Sequence, residues 1–155
     1  MSRKSLLIVG HVPSTNTKAL RDAVERGATS DEIDNVDVTV LSPFDATAEH
    51  VLACDAIILG TTENLGYMSG ALKDFFDRSY YGVLEQKQGL PYALYIRAGL
   101  DGTGTRRAVE SIVGGLRWKA VTDVLLCKGE WDDAFIGQAE ELGQLVAAGL
   151  DVGVF

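Results

Sequence analysis

Two cysteines, Cys54 and Cys127, are all that this chain carries, and they do not make a secreted disulfide framework. Nor do they resemble a metal site, which would use closer cysteine pairs or several His partners. Both are expected to be reduced core residues, near opposite edges of the sheet argued below and out of reach of a bridge. A basic stripe is also lacking. Net charge is −8 and the 14 Lys and Arg are scattered, so counterion release offers nucleic acid little to bind. Nowhere do roughly 18 apolar residues run together, the length a membrane-spanning helix needs. The basic-then-apolar start, MSRKSLLIVG, is too short in its apolar run for a signal peptide and lacks a small-residue cleavage site. It reads as a first buried strand of a cytoplasmic protein. Polar low-complexity sequence, repeats and linkers are missing as well.

What remains is an ordinary globular composition, 46% hydrophobic and 23% charged. A length of 155 residues argues for one domain, 1–155, with a core burying on the order of two-thirds of the unfolded surface. Seventeen glycines against three prolines suit loops whose backbone approaches a ligand closely. Apolar runs at 6–10, 36–41, 56–60, 92–98 and 121–127 alternate with helical patterns at 15–26, 47–53, 69–81, 104–116 and 132–149. Four of the five runs are nearly continuous, as in strands of a parallel sheet covered on both faces. The run 36–41 alternates and belongs at an edge. With right-handed crossovers the order is a three-layer doubly wound α/β sandwich with a five-stranded parallel sheet. On the helical stretch 69–81, Leu72, Phe75 and Phe76 are expected in the core and Lys73, Asp74 and Asp77 in solvent.

Ligands of such sheets sit beyond the carboxyl ends of strands, where strand order reverses. After the first strand, Gly10-His11-Val12-Pro13-Ser14-Thr15-Asn16-Thr17 leads into a helix. Hydroxyl and amide side chains beside unpaired N–H groups form an anion site without Lys or Arg; the same residues are also preferred helix caps. Rival phosphate chemistries fail here. There is no GxxxxGK[ST], no GxGxxG after this strand, no loop cysteine for a phosphatase and no acidic pair for a receiver domain. His11 is read as a backbone hydrogen-bonding partner rather than a catalyst, His50 as a surface residue, and Trp118 and Trp131 as packing.

After the third strand comes Gly60-Thr61-Thr62-Glu63-Asn64-Leu65-Gly66-Tyr67-Met68-Ser69-Gly70, then Leu72-Lys73, Phe75-Phe76 and Asp77-Arg78. This segment resembles the flavin-ring loop and following helix of the flavodoxin family, particularly its FMN-reductase-like and NAD(P)H:quinone-oxidoreductase-like members. The likeness extends to the first loop and to the last helix from Gly143, nearly the whole chain. It implies the flavodoxin-like strand order 2-1-3-4-5 and bound FMN, with its phosphate at His11, Ser14, Thr15, Asn16 and Thr17. Ring contacts would come from Thr61, Thr62, Glu63, Asn64, Leu65, Gly66, Tyr67 and Met68, and from the third loop at Ala98, Gly99, Leu100 and Asp101. Tyr67 would stack on the ring or pack at its rim against the following helix. Val12 and Thr15 depart from the family's phosphate loop, which often has a hydroxyl at the first and Gly at the second.

The resemblance implies an oxidoreductase that passes electrons from NAD(P)H to a quinone, flavin or similar small acceptor. No protein acid or base and no metal is needed, so no catalytic residue is named. The alternatives are a non-enzymatic flavodoxin-type carrier docking on a redox partner protein, consistent with the net charge of −8, and a sensory or interaction module. A homo-oligomer is a further implication of the resemblance.

Overall fold

The computed structural model describes residues 3–155. Strand β1 (Lys4–Gly10) lies between β2 (Val36–Leu41) and β3 (Ala56–Asn64), with both pairings parallel. Strand β3 turns back through the two-residue β4 (Tyr67–Met68), while its residues Ile57 to Thr62 pair in parallel with β5 (Pro91–Ala98). Beyond β5 the sheet ends in two short pieces, β6 (Lys119–Ala120) and β7 (Leu125–Lys128), both parallel to β5. Apart from the hairpin strand and this division, the order is the doubly wound, flavodoxin-like 2-1-3-4-5 expected from the sequence.

Two elements differ from the sequence reading. The expected strand 121–127 is interrupted, because between its two pairings the chain takes five steps along the edge but only three along β5. The surplus carries Thr122 to Val124 out of the ladder, while the Val121 N–H still donates to the Tyr92 carbonyl (3.1 Å). The third strand continues past Gly60 to Asn64, so what reads as an open loop is a β-hairpin.

Helices α1 (Thr15–Ala28), α2 (Ala48–Ala53), α3 (Gly70–Val83), α4 (Thr103–Gly115) and α5 (Ala134–Val152) cover the sheet. Strand side chains alternate between the two faces. Leu7, Val9, Ile57, Leu59, Leu94 and Ile96 pack in one core with Leu72, Phe75 and Phe76. Leu6, Ile8, Ile58 and Tyr95 pack in the other with Leu20, Ala23, Val146 and Ala147. Burial on both faces is why the central strands read as unbroken apolar runs; β2, at the edge, does not.

Helices α1 and α5 touch backbone to backbone. A Cβ at Gly27 would overlap the carbonyl of Glu140, and one at Gly143 the carbonyl of Val24. On α3, Lys73 pairs with Asp77 and Asp74 with Arg78 on the solvent side. Arg78 also donates to the carbonyls of Pro43 (2.6 Å) and Ala46 (2.9 Å), fastening the β2–α2 connection to α3.

Cys54 and Cys127 are buried free thiols. The expected placement needs one correction: Cys54 enters the central strand β3, not an edge, and the two sulfurs belong to cores on opposite faces. Burial pushes Cys54 up to about 12 and Cys127 up to about 11. Among the described residues no helix is long and apolar enough to cross a membrane.

Candidate functional site

The carboxyl ends of β1, β3 and β5 bring together the three loops singled out in the sequence. At the first, Ser14 caps α1: its hydroxyl accepts from the Thr17 N–H (3.2 Å), and the Thr17 hydroxyl accepts from the Ser14 N–H (3.0 Å). Thr17 is buried by this closed box, whereas Ser14, Thr15 and Asn16 are exposed. The N–H groups of Thr15 and Asn16 find no partner among the described residues, and no acidic side chain lies in the first turn. The positive end of the helix dipole is therefore open to an anion.

His11 donates its backbone N–H to the Gly60 carbonyl (3.1 Å). Its ring stands edge-on to Phe44 at 6.4 Å, and partial burial lowers its pKa. Phe44, 62% exposed, is absent from the sequence reading; it reaches the site from the loop after the edge strand, and no local pattern marks it. Beneath this loop the Tyr95 ring crosses the sheet where Gly60 and Gly10 have no side chains. The Tyr95 hydroxyl and the Nε of Arg21 are buried without a partner, while Arg21 donates to the Gly10 carbonyl (3.3 Å).

The hairpin forms the second wall. Leu65 and Gly66 have φ of 53° and 74°, two consecutive positive values as in a type I′ turn. Thr61 is buried, its hydroxyl donating to Ser69 Oγ (3.1 Å) and accepting from the Ser69 N–H (2.9 Å), so it braces the hairpin to the start of α3. Met68 and Ala98 are likewise buried, leaving these three only backbone to offer a ligand. Thr62 donates to Asn64 Oδ1 (2.8 Å), which orients that amide and leaves its NH₂ available. The backbone of Tyr67 is tied to α4, its carbonyl accepting from the Thr105 hydroxyl (2.9 Å).

The third loop, from Gly99, is fastened to the hairpin by Glu63, whose two oxygens accept from the Leu100 and Gly102 N–H groups. Asp101 turns its carboxylate onto the Thr103 N–H (3.0 Å), and its hydrogen bonds to Thr103 hold its pKa below the usual carboxylate value. Leu65 is fully exposed, Leu100 is 80% and Tyr67 42% exposed. Three solvated apolar side chains thus edge the two loops at the sheet end that carries the open helix terminus. Such a lip is unfavourable in water unless something flat and apolar covers it. An anion site at one end and an apolar lip at the other fit FMN, whose phosphate and ring need those two environments.

Fold and site together define a flavodoxin-like α/β protein. The chain belongs to the family described as NADPH-dependent FMN reductase, whose model matches residues 4–126, and it is a flavoprotein of the FMN type. A flavodoxin of Aquifex aeolicus is 28% identical over 108 residues, 70% of this chain and 57% of that relative's length. Among solved structures, an archaeal flavodoxin superposes with a TM-score of 0.80 at 23% identity, covering 94% of this chain and 98% of the other. A WrbA-like flavodoxin from Agrobacterium tumefaciens gives 0.73 at 20% identity, covering 94% and 96%.

Proposed function

We propose that the crevice between the α1 N-terminus, the β3–β4 hairpin and the β5–α4 loop of a single 1–155 domain holds FMN. On this reading the chain is an oxidoreductase passing electrons from NAD(P)H to a quinone, flavin or similar small acceptor. The observation that carries it is the pairing of an anion-free, open helix terminus with the exposed apolar lip of Leu65, Tyr67 and Leu100. When bound, the flavin supplies hydride acceptance and electron transfer. The chain's residues hold and shelter it. Thr15 and Asn16 offer N–H groups to the phosphate, the free amide NH₂ of Asn64 is a donor for a ring carbonyl, and the lip side chains exclude water from the ring face.

The test is titration of the apoprotein with FMN and riboflavin, followed by steady-state NAD(P)H oxidation. FMN should bind about a hundredfold more tightly, the worth of two charge-assisted hydrogen bonds. Equal affinities would place the phosphate elsewhere. A second reading, a carrier that docks on a protein partner, is favoured by the net charge of −8 and by the flavodoxin named among the relatives. FMN binding without NAD(P)H turnover selects it.

The turn at Leu65 gives a sharper prediction. An exposed leucine at φ 53° costs about 1 kcal/mol in a left-handed conformation that Asn adopts more readily. Leu65→Asn should therefore stabilise the apoprotein by about 0.5–1 kcal/mol and yet weaken FMN binding, because an apolar cover is lost. Denaturant unfolding and FMN titration of the same variant check both signs. A variant that gains stability and keeps full affinity would remove Leu65 from the site.

A further inference from the structure

Glu63 reaches across 37 and 39 residues to accept from the Leu100 N–H (3.1 Å) and the Gly102 N–H (2.9 Å). The grip falls on alternate residues of the β5–α4 loop. Of the residues before and between, Gly99 has an N–H group with no partner among the described residues, and that of Asp101 meets nothing but its own carboxylate. The rest of the loop is held too. Arg97 donates to the carbonyls of Ala98 (2.8 Å) and Cys127 (2.9 Å) while lying over Trp131 and Phe135. Gly104 leaves no room for a Cβ because the Gly66 carbonyl occupies that space. A backbone loop of this length would otherwise sample several shapes, and two charge-assisted bonds from one carboxylate select one of them.

We propose that Glu63 is the positioning residue of the ring site: by engaging the Leu100 and Gly102 N–H groups it presents those of Gly99 and Asp101 as the donors for the polar edge of the flavin. The proposal rests on the FMN reading above. Glu63 then acts through the loop rather than by touching the ring, unlike the direct contact implied by the sequence resemblance.

Glu63→Ala and Glu63→Gln are compared with the unmodified protein by amide exchange of the apoprotein and by titration with FMN and riboflavin. In Glu63→Ala the Leu100 and Gly102 amides should exchange faster. Both ligands should lose the same factor, about tenfold to a hundredfold, because the defect lies at the ring end and the phosphate contribution is untouched. Glu63→Gln, whose amide oxygen still accepts one N–H, should fall between. Since Gln also removes the charge, a purely electrostatic effect would make the two variants alike. Unchanged exchange, unchanged affinity in Glu63→Ala, a loss confined to FMN, or identical behaviour of the two variants each overturns the proposal. If the unmodified protein takes up neither ligand, the site reading itself fails and this proposal falls with it, a result visible before any variant is made.

Discussion

Ser14→Asp should bind FMN about a thousandfold more weakly than the unmodified chain while folding at least as well. The added carboxylate would stand at the N-cap of α1, a helix whose first turn contains no acid. At about 4 Å and an effective dielectric near 20, two unit charges repel by roughly 4 kcal/mol, and the phosphate carries more than one. Folding is spared because Asp is itself a good cap and can accept from the Thr17 N–H as Ser14 does (3.2 Å), and its charge complements the helix dipole. Gln138→Glu, exposed on α5, adds the same charge without entering the crevice and should leave affinity nearly intact. Titration of both variants decides the matter. Equal affinities would show that the phosphate does not lie at this helix end.

The second large effect concerns the fold. Gly143→Val should destabilise the protein by about 3 kcal/mol, the upper range for overpacking a closed interior. The added carbons meet the Val24 carbonyl and the Ala28 N–H region of α1, which are backbone and cannot rotate away. Relief requires α1 and α5 to separate, which opens the core containing Ala23, Ala28, Ala139 and Ala147. The control lies on the same helix. Gly137 has no atom within 4 Å of a built Cβ, so Gly137→Val should raise stability by a few tenths of a kcal/mol through helix propensity alone. One chemical change, two signs, is the expected outcome of denaturant unfolding. A loss under about 1 kcal/mol at Gly143 would mean that the helix pair yields more easily than a close-packed interior does.

How far the sequence discloses this molecule depends on which forces act locally. The three layers are legible because strands buried on two faces must be continuously apolar, and the edge strand Val36–Leu41 because only half of it is covered. The interrupted edge is only half legible. The polar pair Thr122-Asp123 breaks the run 121–127, but only the register against β5 shows that surplus residues leave the ladder there. The hairpin hides for a different reason. Its strand residues Thr61 to Asn64 lack an alternating pattern, and its turn places Leu rather than Asn before Gly66, against the usual preference.

At the site, the hydroxyl-rich start of α1 is visible because capping chemistry is encoded within four residues. Phe44, the Glu63 grip and the Tyr95 ring beneath Gly10 and Gly60 join segments 33 to 85 positions apart. Their residue types are ordinary, and proximity alone gives them a role.

The two native thiols have a practical corollary for anyone wishing to follow this molecule by fluorescence. With Cys54 at about 12 and Cys127 at about 11, the reactive thiolate at pH 8 is on the order of one part in a thousand or less, and both sulfurs are screened from reagent. A cysteine placed at the exposed position 65 would titrate near its ordinary value of about 8.5 and react with a maleimide far ahead of either. A dye can thus be attached to the hairpin tip with no need for a cysteine-free background, at the cost of the Leu65 side chain that the FMN reading places over the ring.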